Sequence, residues 1–205
     1  MPVLQFSRTQ LTRKLARLPL PLCVIFAAAC AERLLPGYIT FSNRTGQGDS
    51  TAIMRALVRL WEDVGGRPMT ADEVQANIST CMNLIPPDDD VSLGEESDYA
   101  ENASAAVVYA LTCLQKSNAE YGAWSADQAY EALGQFVTNR DNVDLNAQGS
   151  LRRILANPLI QAELVRQRRD VNELLRAADE DVRRVAARFR ARAKTESKIF
   201  FGMPS

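Results

Sequence analysis

Glu32 and Arg33 stand at the end of an uncharged apolar run, Leu22 to Ala31, in a chain of 205 residues. An ionised side chain at the edge of so apolar a segment needs a partner, because burying an unpaired charge is very costly. Neighbours on a helix point in different directions, so these two cannot serve each other. Tyr38, Arg44 and Asp49 lie close enough in sequence to be the missing partners. Two chemistries fit. An ion-pair network would fix the geometry of the first third of the chain. Alternatively, Glu32, Arg33, Tyr38, Thr45 and Asp49 would form a carboxylate-and-arginine pocket for a small polar ligand, with Glu32 as a general acid or base. The structural use leads and the ligand or enzyme use follows.

Other motifs are weaker. Gly46-Gln47-Gly48-Asp49-Ser50-Thr51 precedes a helix, where free backbone N–H groups can cradle an anion. It lacks the lysine of a phosphate-binding loop, and no strand comes before it. A glycine turn followed by an aspartate cap explains it. Its GxGD string also matches that of intramembrane aspartyl proteases, whose chemistry needs a second aspartate within a membrane. Asp144 to Gly149 resembles half of a calcium-binding loop, but the twelfth position, which should be glutamate, is Leu155. Asp88-Asp89-Asp90 follows two prolines and reads as a solvated acidic loop, within residues 86–98. Histidine is absent, which removes Ser-His-Asp and Cys-His catalysis and histidine-ligated metals. The four cysteines, Cys23, Cys30, Cys81 and Cys113, form no CxxC pair and sit on apolar stretches as small hydrophobes. No cofactor, metal or catalytic set is implied, and the enzyme question leans to no.

The net charge of −1 is unevenly placed. Residues 1–61 hold 8 basic and 2 acidic side chains, residues 62–144 hold 3 and 16, and residues 145–205 hold 13 and 7. An acidic middle packed beside basic ends accounts for this. Nucleic-acid binding would instead require Arg166, Arg169, Arg176, Arg183 and Arg190 to form an open stripe, and it is the least favoured use.

The elements that must position these residues are all helical. Leucines at 4, 11, 15 and 18 give a first amphipathic pattern. The segment Leu18–Ala31 mimics an export signal, yet Pro19 and Pro21 interrupt it and Glu32-Arg33 continue it as ordinary helix. It reads as a buried core helix, and about 20 apolar residues would be needed to cross a bilayer. Pro36 should end that helix and start a short second one. Asp49 or Ser50 caps the next, with Ile53, Leu57, Leu60, Trp61 and Val64 inward. Thr70 to Glu73 is a capping box. Helices follow from Asp98 to Ser117, from a second capping box at Ser125, and briefly after Ser150. Asn157-Pro158 opens the longest pattern, held to about Ala193, some 36 residues or on the order of 54 Å. A helix that long must brace the bundle or project into a partner subunit. The expected architecture is one all-α domain over residues 1–205, a bundle of seven to nine helices with a long C-terminal helix.

The string F-x-x-x-C-x-E-R-x-x-P-x-Y-x-x-F, then T-G-x-G-D, then Trp61 resembles the YjaG-like family of bacterial proteins (domain of unknown function family 416). Phe26, Cys30, Glu32, Arg33, Pro36, Tyr38, Phe41, Thr45, Gly46, Gly48, Asp49 and Trp61 carry the likeness. Weaker echoes fall at Tyr99–Leu111, at Asn157-Pro158 with Glu163, and at Glu196-Ser197, while Val137–Ala156 departs from the pattern. The resemblance implies a soluble, helical, cytoplasmic bacterial protein and assigns no reaction. The overlong last helix and the absence of a recognisable catalytic set lead to the expectation of a non-enzymatic protein acting through protein contacts as a homodimer, without membrane or nucleic-acid binding.

Overall fold

A computed structural model describes residues 3–86, 96–198 and 200–201. Within them the chain forms α1 (Arg8–Leu15), α2 (Leu20–Thr45), α3 (Ser50–Val64), α4 (Ala71–Met82), α5 (Glu96–Lys116), α6 (Ala119–Arg140), α7 (Ser150–Leu155), α8 (Pro158–Arg176) and α9 (Val182–Ser197). The described residues contain no strand, and the fold is an all-α bundle as expected.

Every residue of α2 from Leu22 to Leu34 is buried. A helix that is apolar on all sides has to be surrounded, and α3, α5, α6, α8 and α9 pack around this one. Its alanines, Ala27 to Ala29 and Ala31, let neighbouring backbones approach. Ser125 on α6 donates its hydroxyl proton to the Ala27 and Ala106 carbonyls, at 3.0 and 3.2 Å, and so joins α6 to α2 and α5. By length and composition α2 also meets the test for a membrane span, with a mean hydropathy of 1.6 over 18 residues. The run is therefore longer than Leu18–Ala31 suggests. Since 83% of that window is buried inside the bundle, packing accounts for its apolarity.

The caps fall largely where the sequence places them. Asp49 accepts from the Ala52 N–H, and Thr70 and Glu73 form the reciprocal box. Asn157 caps α8, with Pro158 in its first turn. Ser125, in contrast, caps nothing. It lies inside α6, whose cap is Asn118, because its hydroxyl finds carbonyl partners in the core. Likewise Ser150 is the first helical residue of α7 and bonds the Leu145 carbonyl, with Gly149 at the cap position.

Two expectations about helix ends are overturned. Pro36 neither stops nor starts a helix, for α2 runs straight through it to Thr45. Proline removes the N–H that would bond the Glu32 carbonyl, but Leu34, Gly37, Tyr38 and Phe41 continue the buried stripe past it. That burial outweighs one missing bond. The long C-terminal helix is in fact two, α8 and α9, separated by residues 177–181. Asp179-Glu180-Asp181 interrupts good helix formers, and Asp181 caps α9 by accepting from the Arg183 and Arg184 N–H groups, at 2.8 and 3.4 Å. Arg188 spans the break, bonding Glu173 at 3.0 Å and Glu180 at 3.1 Å. The turn lets α9 fold back onto α2 instead of projecting outward. Residues 87–95, which carry Asp88-Asp89-Asp90, lie outside the described residues.

Candidate functional site

Arg33 is completely buried at the centre of the bundle. One terminal nitrogen donates to Glu163 at 2.8 Å and to the Cys30 sulfur at 3.4 Å. The other donates to Asp170 at 3.1 Å and Glu196 at 3.4 Å. Glu163 and Asp170 are seven residues apart on α8, two turns on one face, and Glu196 arrives from the last turn of α9. Three carboxylates around one guanidinium leave an excess of negative charge, which an outer ring of arginines offsets. Arg169 bonds both Asp170 and Glu196 at 2.7 Å. Arg192 bonds Asp170 at 3.0 Å and Glu173 at 2.7 Å, and lies 4.3 Å over the Phe189 ring. Arg166 stands 3.6 Å from Glu163, and Gln167 donates to the same carboxylate at 3.0 Å. Burial by itself lowers the Arg33 pKa, but Glu163 and its companions outweigh that and hold the guanidinium well above its ordinary pKa. Burial also pushes the Cys30 thiol up, so it meets Arg33 as a neutral sulfur.

Glu32 faces another neighbour. Its Oε2 accepts the Trp61 indole N–H at 2.8 Å, joining α2 to α3. Burial raises the Glu32 pKa, opposed by the Trp61 bond and by the charges of Lys194 and Arg190 on α9. Arg190 has a buried Nε without a hydrogen-bond partner.

The remaining candidates form a third, separate group where α2 turns into α3. Tyr38 donates its hydroxyl proton to the Leu84 carbonyl at 2.8 Å, and burial pushes its phenol up. Gly48, at φ +72°, passes so close that a Cβ there would lie 2.5 Å from the Tyr38 hydroxyl oxygen. Thr45 donates to the Phe41 carbonyl at 2.8 Å and accepts from the Gln47 N–H at 3.1 Å. Asp49 is the cap of α3. Arg44 pairs with Glu96. The fold thus divides the five residues among an ion cluster, an indole–carboxylate bond and a capped turn.

The residues missed by the sequence argument are the partners: Glu163, Asp170, Glu196 and Trp61. A signal for two of them existed. Ile160, Leu164, Val171 and Leu174 define the inward face of α8, and Glu163, Gln167 and Asp170 share it at three- and four-residue spacing. Polar groups on an inward stripe must find partners in the core. Of the arginine stripe, Arg166 and Arg169 are engaged by acids, while Arg176 and Arg183 are exposed, the first bonding the Asn172 carbonyl of its own helix at 3.2 Å and the second lying against Gly66.

Two cavities of about 300 Å³ each lie elsewhere in the bundle. The first runs between the segment Leu4–Lys14 and α8, and includes Gln167 and Arg168. The second opens beside Leu15, Leu18 and Cys23. Around Arg33 the two terminal nitrogens meet carboxylates from α8 and α9, an arrangement that can clamp α2, α8 and α9 together, while Arg33 Nε and Glu163 Oε2 are buried without a hydrogen-bond partner.

Known proteins agree with this architecture. A DUF416 family protein from Shewanella baltica OS155 superposes with a TM-score of 0.76 at 20% identity, over 95% of this chain and 98% of that one. At that identity the likeness speaks for the fold. Comparison with curated proteins gives no match. Residues 10–199 match the family described as protein of unknown function (DUF416), and the chain belongs to that family.

Proposed function

We propose that this protein is a non-enzymatic helical scaffold that acts by pairing with a second copy of itself. The observation that carries the reading is where its large apolar side chains remain exposed. Among the six exposed in the described residues, Leu145, Leu151 and Val165, at 57%, 73% and 55% exposure, fall around α7 and the first half of α8, while Val58 and Met82 lie apart on α3 and α4. Val3 joins them, because the adjacent Leu4 backbone bonds Gln161, one helical turn before Val165, at 2.8 and 3.0 Å. Isolated exposed apolar residues need no explanation, but a concentration of them marks a contact surface. Exposed Arg152, Arg153 and Arg168 border it, and a complementary surplus of acid lies in residues 62–144 of a second copy. The Glu32 and Arg33 side chains, being matched inside the chain, fit architecture better than turnover. We take the site of action to be the cytoplasm, a compartment that keeps four free thiols reduced. Size-exclusion chromatography with light scattering tests the proposal. Wild type is expected at dimer mass at micromolar concentration, and Leu151→Glu with Val165→Glu at monomer mass. A wild-type monomer would end it.

A second reading draws on the cleft between residues 4–14 and α8. Gln167 lines that cleft and bonds Glu163, the partner of Arg33. Lys14 and Arg168 supply cations, while Leu4, Phe6, Leu164 and Val171 supply apolar walls. A small amphiphilic carboxylate suits that lining. A thermal-shift screen with medium-chain fatty acids should raise Tm in wild type and less in Arg168→Ala. No shift with any chain length would dismiss it.

A further inference from the structure

The Cys23 and Cys113 sulfurs are 3.6 Å apart in the core, one on α2 and the other on α5. The structure assigns this pair as a reversible dithiol–disulfide site whose oxidant is a small hydroperoxide, hydrogen peroxide being the simplest. The two sulfurs must approach by about 1.5 Å to reach the bonded distance. Three features of the surroundings allow it.

The first is access. Cys23, although only 2% exposed, lines a cavity of about 300 Å³ whose other lining residues include Thr12, Ser117 and Asn118, so a small oxidant entering that cavity comes up against this residue. The second is space. Gly122 on α6 lies over both sulfurs, and a Cβ there would stand 3.1 Å from the Cys23 sulfur and 3.8 Å from that of Cys113. The third is charge. The Cys113 thiol is lowered by its hydrogen bond with Cys23 and by the Gly122 backbone N–H, against the opposing effect of burial. Cys23 is raised in turn, first by the same hydrogen bond, so of the two sulfurs Cys113 is the one that gives up its proton first. The other two cysteines differ. Cys30 is bonded by Arg33, and burial pushes Cys81 up to about 12.

The chemistry balances in two steps. In the singly protonated pair, the Cys23 sulfur attacks one peroxide oxygen as its proton passes across their hydrogen bond to the Cys113 thiolate. The O–O bond breaks, hydroxide leaves, and Cys23 becomes a sulfenic acid. Cys113 then attacks that sulfur as its thiolate, having given its proton to the departing hydroxide. An S–S bond forms, the S–O bond breaks and hydroxide leaves, taking a proton from solvent to become water. One thiol, one thiolate, one solvent proton and one peroxide thus yield one disulfide and two waters. The product fastens α2 to α5 across a sequence separation of 90 residues, a long closure that restricts the unfolded chain strongly.

The test is thiol mapping on the folded full chain. After hydrogen peroxide treatment and quenching, the protein is denatured, alkylated with N-ethylmaleimide and weighed. Two of the four thiols should escape alkylation, and proteolysis should release one peptide pair joined through Cys23 and Cys113. Dithiothreitol should restore four alkylated sites, and the oxidised chain should unfold at higher urea than the reduced one. Cys30→Ser and Cys81→Ser should keep the two-hydrogen mass loss, whereas Cys23→Ser or Cys113→Ser should abolish it. The wild-type peptide map decides the matter even if a variant fails to fold. Four thiols still alkylated after peroxide, a joined pair other than Cys23–Cys113, or cross-linking only in urea would overturn the assignment.

Discussion

Arg33 shows how a single buried charge organises its surroundings. Its three carboxylates come from segments 130 to 163 residues away in sequence, so the guanidinium ties α8 and α9 to α2 once their apolar faces have closed around it. Losing one partner from a buried ion cluster costs far more than the cluster contributes over an apolar replacement, because uncompensated charges are left behind. Arg33→Met should therefore destabilise the fold by about 3–5 kcal/mol, measured by urea unfolding, a large share of an ordinary total. Retention of wild-type stability would mean that Glu163, Asp170 and Glu196 do not depend on it. Glu32 makes a prediction of opposite sign. Burial raises its folded pKa above the unfolded value, so the native state binds its proton more tightly. Its contribution is then most favourable below the unfolded pKa and is lost as pH rises through the folded one. Glu32→Gln keeps an acceptor for Trp61 and removes that loss. Thermal melts should show the variant more stable than wild type at neutral pH, with the gap closing as pH falls below the carboxylate range. A gap that widens in acid would show that the ionised Glu32 is favoured instead.

At the scale of elements, the turn between α2 and α3 separates two causes of glycine use. Gly46 has φ +69° with open space where a Cβ would go, whereas Gly48 has φ +72° with the Tyr38 hydroxyl at 2.5 Å. Gly46→Ala should cost about 1 kcal/mol, the ordinary penalty for a side chain in a left-handed conformation. Gly48→Ala should cost clearly more, since Tyr38 must also move and surrender its bond to Leu84. Equal urea midpoints for the two variants would show that Tyr38 yields freely. Helix boundaries divide in the same manner. Thr70 with Glu73 and Asn157 with Pro158 mark true starts because a cap acts within one turn. Pro36 and Ser125 have similar local signatures and mark nothing. Their surroundings are the core, where packing and distant carbonyls outweigh a local preference.

For the molecule as a whole, one apolar cluster runs through all the main helices, from Leu15 on α1 to Phe200 and Phe201 beyond α9. α2 packs against α3, α5, α6, α8 and α9, so none of these can leave without exposing it. Unfolding should therefore be a single transition, with calorimetric and van't Hoff enthalpies equal at about 0.7 kcal/mol per residue. Two resolved calorimetric peaks would show that the chain divides into independent units. The long brace anticipated at the C-terminus does not exist, and its folding back supplies one of the three acids around Arg33. A projecting helix would have left Glu196 in solvent.

Amino-acid order by itself determined the helical class, most helix starts, and the need for Glu32 and Arg33 to be partnered, because periodicity, capping and the penalty on buried charge act locally. Only the tertiary structure decided who the partners are. Asp49 and Arg44 are near in sequence yet serve a cap and a surface pair, while Glu163, Asp170, Glu196 and Trp61 reach the core because α3, α8 and α9 close around α2. The meeting of Cys23 with Cys113 has the same origin. Pairings between distant segments follow from which apolar faces come to share a core, and no local spacing encodes that choice.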